Sequence, residues 1–99
     1  DAGYAVRTAI DGLEAVGMLQ RFVPSVMLVD MEMPRMNGIE LTAHVRDSER
    51  TKNIPVIMIT SRSTEKHRQM GKEAGVDVYL TKPFSDDALI EHVERLVHR

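Results

Sequence analysis

"VMLVDMEMPRMNG", residues 26–38, decides the fold. Val26, Met27, Leu28 and Val29 are apolar without a break, as in a strand buried on both faces of a parallel sheet. Asp30 ends that run. Behind it, Pro34 and the Asn37-Gly38 pair are turn signals. A buried strand closed by a carboxylate, with a loop leading the chain away, sets that carboxylate at a sheet edge where a ligand can reach it.

Working outward, the strand begins at Ser25. Asn37 and Glu40 have the spacing of a capping box, which predicts a helix to about residue 48 with Gly38, Leu41 and Val45 on one face. After a turn at Asn53, IPVIMIT at 54–60 reads as another strand. Ser63-Thr64-Glu65 opens a helix that ends at Gly75. Its apolar content is little more than Met70 and Ala74, so it is expected to be the most weakly held element. Residues 76–81 form the next strand. Ser85 caps a last helix, with Asp86 and Asp87 suited to its N-terminal dipole and Leu89, Val93, Leu96 and Val97 as its apolar stripe. Upstream, residues 4–10 read as a short strand. Asp11 and Glu14 repeat the cap pattern, and Ala15, Val16, Leu19, Phe22 and Val23 follow at helical spacing as far as Pro24.

Strands thus alternate with helices, which argues one α/β domain over residues 1–99 with a parallel sheet covered on both faces. Composition narrows its function. A net charge of −2 gives no reason to expect direct nucleic-acid binding. With no cysteine, disulfides and thiolate metal sites are excluded. No apolar run approaches the roughly 18 residues of a membrane helix, so no membrane partner is expected. The opening residues do not resemble a signal peptide. His44, His67, His92 and His98 lack metal-ligand spacing, and the seven methionines read as core filler.

In open parallel sheets, ligands bind beyond the carboxyl ends of the strands. Three such ends carry chemistry here: Asp30, Thr60-Ser61 and Lys82-Pro83. A carboxylate can attack phosphorus to give an acyl phosphate, a hydroxyl can bond one phosphoryl oxygen, and an ammonium can neutralise another. Mg²⁺ suits the remaining charge. Each residue also has a plainer reading. Asp30 alone would be a turn residue, Lys82 a surface lysine, Thr60 an ordinary strand residue and Tyr79 a core or edge aromatic. Their convergence at neighbouring strand ends is what favours the chemical one.

VDMEMPRMNG, VIMITSRS and YLTKPF, in this order, resemble the receiver domain of two-component response regulators over essentially the whole chain. The resemblance implies a flavodoxin-like (CheY-like), doubly wound parallel sheet, whose strand order 2-1-3-4-5 is a known property of that fold. It implies that Asp30 is the phosphoacceptor and that the backbone carbonyl of Glu32 joins Asp30 as a Mg²⁺ ligand. Thr60 is then the switch hydroxyl, Tyr79 the switch aromatic and Lys82 the charge-neutralising lysine. Lys82-Pro83 is expected to be a cis peptide. Glu32, Ser61 and Arg62 fall at positions that modulate the chemistry. Glu32 and Arg62 should flank the site's mouth and attract one another across it. ITSRSTEKHRQM also resembles receivers fused to chemotaxis-type or pilus-type histidine kinases.

The family pattern includes an acidic pair at the end of a first strand, and nothing in residues 1–11 reads as that strand. The expected fold therefore lacks the first strand and most of the first helix. Mg²⁺ should bind weakly or not at all, since Asp30 and one carbonyl make a poor site. The stripe of Leu89, Val93 and Leu96 should be partly bare. A chain starting at Asp1 should self-associate or swap strands.

Three functions compete. The first is a cytoplasmic phosphorelay module, not an enzyme in its own right, that takes a phosphoryl group from a histidine kinase or phosphotransfer partner. It would signal to an output partner through the helix at 63–75, the strand at 76–81 and the helix from Ser85. The second is a pseudo-receiver that binds proteins without phosphorylation. The third is an aspartate-nucleophile phosphatase with Glu32 as its second acid, which the length disfavours because no cap domain fits.

Overall fold

The computed structural model describes residues 9, 11–33 and 35–98. The strand expected at 4–10 lies outside the described residues, apart from Ala9. So does Pro34. Seven elements follow in chain order: α1 (Gly12–Leu19), β1 (Met27–Asp30), α2 (Gly38–Arg46), β2 (Val56–Thr60), α3 (Glu65–Ala74), β3 (Val78–Thr81) and α4 (Asp86–Val97).

The caps form where the sequence signals them. The Asp11 carboxylate accepts the Glu14 N–H at 2.9 Å and starts α1. Asn37 and Glu40 exchange side-chain bonds with each other's backbone N–H, a complete capping box for α2. Thr64 caps α3, and Ser85 caps α4 by accepting the Ala88 N–H at 3.0 Å. Gly75 closes α3 at φ 104°, a left-handed conformation that glycine adopts without steric penalty.

α1 is shorter than its pattern predicts. It ends at Leu19 with Gln20 as C-cap, not near Pro24. The Arg50 guanidinium takes the Leu19 carbonyl at 2.6 Å, satisfying one of the terminal acceptors that a longer helix would have used. Val23 is exposed, so its helical spacing does not signify a buried face. β2 begins later than its apolar run for a similar reason. Arg46 occupies the Ile54 carbonyl, and the Asp77 carboxylate takes the Val56 N–H at 2.8 Å.

The three described strands form a parallel sheet in the order β1-β2-β3, with Asp30 opposite Ile59 and Thr60 opposite Thr81. Side chains alternate across it. Val29, Val56 and Met58 point to one face and bury with Leu19, Leu41 and Val45 under α1 and α2, which packs on both α1 and α3. Full burial of each such aliphatic side chain contributes roughly 1.5–3 kcal/mol. Thr42 joins this interior, donating to the Gly38 carbonyl at 2.8 Å. On the other face Ile57 is fully buried, whereas Leu28 remains 46% exposed. Along α4, Leu89 and Val93 are half-buried, as expected, but Leu96 is buried.

α3 buries little apolar surface: Met70 is exposed, and the buried residue of the helix is Gly71, which faces the Tyr79 ring. A side chain at 71 would contact that ring at 3.1 Å. The glycine lets helix and strand approach, a signal that apolar periodicity cannot carry.

Candidate phosphoacceptor site

The parallel register sets Asp30, Thr60 and Lys82 on one edge of the sheet. Asp30 is the last residue of β1 and Thr60 the last of β2. Lys82 follows β3 directly, tied by its N–H to the Thr60 carbonyl at 2.8 Å. The expected convergence is present. Lys82 Nζ lies 3.4 Å from Asp30 Oδ2, and the Glu32 N–H donates to Asp30 Oδ1 at 2.9 Å. Both charged side chains are almost half exposed, so an incoming anion can meet them. The Lys82-Pro83 peptide is cis, as the TKPF motif implied.

Thr60 is fully buried, and its hydroxyl is closely held. Thr60 Oγ1 donates to Glu32 Oε2 at 2.5 Å and accepts the Arg62 N–H at 3.0 Å. Met31 Sδ stands 3.6 Å away. Glu32 and Arg62 do flank one opening, a cavity of about 370 Å³ also lined by Met33, His67 and Met70. Their opposite charges do not close into an ion pair among the described residues; the Glu32 carboxylate turns to Thr60 instead. Ser61 is exposed just past β2.

Tyr79 is half-buried and donates its phenol to the Arg62 carbonyl at 2.6 Å. Burial pushes its pKa above the ordinary phenol value, against the opposing pull of the Arg68 cation. Arg68 lies over the ring, 5.1 Å from its centroid, and also donates to Thr81 Oγ1 at 3.1 Å. Sequence reasoning missed Arg68. It falls on an exposed, charged helix, and only the third dimension brings it over Tyr79.

At this edge the half-exposed Asp30 carboxylate can offer oxygen to a cation. Among the described residues, no three His, Asp or Glu side chains cluster to hold a metal. Also among the described residues, no helix is long and apolar enough to cross a membrane.

Residues 1–94 match the response regulator receiver domain family. The chain is 39% identical over 97 residues to the sensor histidine kinase CheAY of Helicobacter pylori, covering 96% of this chain and 12% of the kinase. It spans 41–43% of the transcriptional regulator RpaA of Synechocystis, the response regulator MprA of Mycobacterium leprae and the phosphate regulon regulator PhoB of Rhizobium meliloti, at 33–36% identity. The receiver domain of a Syntrophus aciditrophicus signal transduction histidine kinase superposes with a TM-score of 0.91 at 33% identity, over 98% of this chain and 74% of that one. The receiver domain of the Pseudomonas aeruginosa sensor kinase PA1611, solved with magnesium in its active-site cleft, gives 0.89 at 29% identity, over 98% and 80%.

Proposed function

The chain belongs to the response regulator receiver domain family, and from that membership we propose that it is a phosphorelay module whose phosphoacceptor is Asp30. The observation that carries this reading is the meeting of Asp30, Lys82 and the Thr60 strand end at one accessible edge. A carboxylate oxygen of Asp30 attacks the phosphorus of a phosphohistidine on a kinase or phosphotransfer protein. The P–O bond forms as the P–N bond breaks, and the electron pair leaves on the imidazole nitrogen. Lys82 offsets charge on the phosphoryl oxygens, and the Thr60 hydroxyl bonds one of them. Asp30 and the Glu32 carbonyl would each hold Mg²⁺ by an oxygen, and the ion would offset charge on the phosphoryl group.

The module is cytoplasmic and not an enzyme with its own small-molecule substrate. It assists its own phosphorylation and dephosphorylation. Its output passes through α3, β3 and α4 to a partner or a fused domain. The alternative reading is a pseudo-receiver that binds proteins without being phosphorylated. Incubation with acetyl phosphate and Mg²⁺, followed by intact mass, separates the alternatives. A stable gain of one phosphoryl group supports the phosphorelay reading. No reaction supports the pseudo-receiver, and sustained turnover of acetyl phosphate would make the protein a phosphatase.

A further inference from the structure

A continuous hydrogen-bonded path links the phosphoacceptor loop to the switch aromatic. Glu32 Oε2 accepts from Thr60 Oγ1, Thr60 Oγ1 accepts from the Arg62 N–H, and the Arg62 carbonyl accepts from the Tyr79 phenol. Thr60 is fully buried, and its hydroxyl carries one proton. That proton can be given to the Glu32 carboxylate or to a phosphoryl oxygen on Asp30, but not to both. The Glu32 backbone N–H meanwhile holds Asp30 Oδ1. One residue therefore grips the nucleophile with its main chain and the switch hydroxyl with its side chain.

We propose that the Glu32 carboxylate is a positioning residue that latches the Thr60 hydroxyl in the resting state, so that phosphorylation acts by taking the hydroxyl proton away from Glu32. This rests on the phosphoacceptor reading of Asp30 and adds the resting-state competitor to it. When the latch opens, Thr60 turns to its new acceptor and its bond to the Arg62 N–H weakens. The Arg62 carbonyl, at the other end of that residue, then shifts beneath the Tyr79 phenol. Glu32 thus sets how far the resting protein already samples the switched arrangement. A charge-assisted bond of this kind is stronger than a neutral one, and an amide acceptor keeps the geometry without the charge.

The test compares the Thr60 methyl and Tyr79 ring resonances of the unphosphorylated protein with those of Glu32→Ala, Glu32→Gln and Thr60→Val. Glu32→Ala should move both sets of signals. Glu32→Gln should restore most of the wild-type positions, because its amide oxygen still accepts. In a Thr60→Val background, Glu32→Ala should leave Tyr79 unmoved. Unchanged spectra in Glu32→Ala, a Gln variant that behaves like Ala, or a Tyr79 shift that persists without the hydroxyl would each overturn the latch. Added acetyl phosphate gives a separate reading: it should shift Thr60 less in Glu32→Ala than in wild type. If no form takes up phosphate, the phosphoacceptor reading falls, while the unphosphorylated spectra still decide whether Glu32 holds Thr60.

Discussion

Arg68 of α3 stacks its guanidinium on the face of Tyr79 in β3, 5.1 Å from the ring centroid. The cation opposes the effect of burial, which raises the Tyr79 pKa above the ordinary phenol value of 10.0. Arg68→Ala should therefore raise that pKa further. A folded-state pKa above the unfolded one means that stability from the buried neutral phenol is present at lower pH and is lost as pH rises through the folded value. Difference absorbance of the phenolate, in a Tyr4→Phe background, checks the direction. An unchanged or lowered Tyr79 titration in Arg68→Ala would refute the stacking account.

Arg46 anchors the opposite end of the same helix. Its guanidinium donates to the Gly75 carbonyl at 2.8 Å and 3.0 Å, reaches the Lys52 and Ile54 carbonyls, and pairs with Asp77 at 2.9 Å. Arg46→Ala leaves the two partly buried carbonyls of Gly75 and Ile54 without that donor and should cost about 2–3 kcal/mol in a urea melt. Arg46→Lys should recover less than half of the loss, since an ammonium cannot reproduce the planar fork.

Acid should weaken the contact between α1 and the loop after β1. The Glu14 N–H holds the Asp11 carboxyl below its ordinary pKa of 3.8, and the Arg35 guanidinium lowers it further. A depressed folded pKa gives stability that is present above the unfolded value and is lost as pH falls through the folded one. Asp11→Asn should flatten the acid limb of a melting-temperature profile. A limb as steep as that of the wild type would show that Asp11 is not its source.

Gly38 is pressed against the backbone of Asp30 and Met31. A Cβ there would meet the Asp30 carbonyl at 2.7 Å and the Met31 Cα at 2.9 Å. Gly38→Ala should therefore destabilise by about 1–3 kcal/mol despite alanine's better helix propensity. It should also displace the Asp30 amide resonance. Wild-type stability with an unshifted Asp30 signal would contradict this packing.

Much of this arrangement was legible in the sequence because it is encoded locally. Asp11, Asn37, Ser85 and Gly75 announce helix ends through their own backbone chemistry, and the apolar runs before Asp30 and Thr60 announce buried parallel strands. The three strand-end residues could be placed together because a parallel sheet brings like ends to one edge. What escaped is long-range. The C-terminus of α1 depends on Arg50, the start of β2 on Arg46 and Asp77, and the packing of α3 on Gly71 against Tyr79. Glu32 was placed correctly at the mouth but paired with the wrong residue. Opposite charge suggested Arg62, whereas the buried Thr60 hydroxyl supplies the closer donor.

The central claim is that Asp30 carries the phosphoryl group, and borohydride reduction after acetyl phosphate treatment tests it most directly. An acyl phosphate is reduced to the alcohol, so the account predicts homoserine at position 30 in the mapped peptide, and none in Asp30→Asn. An intact Asp30 in the treated wild type, or conversion at any other aspartate, would contradict it.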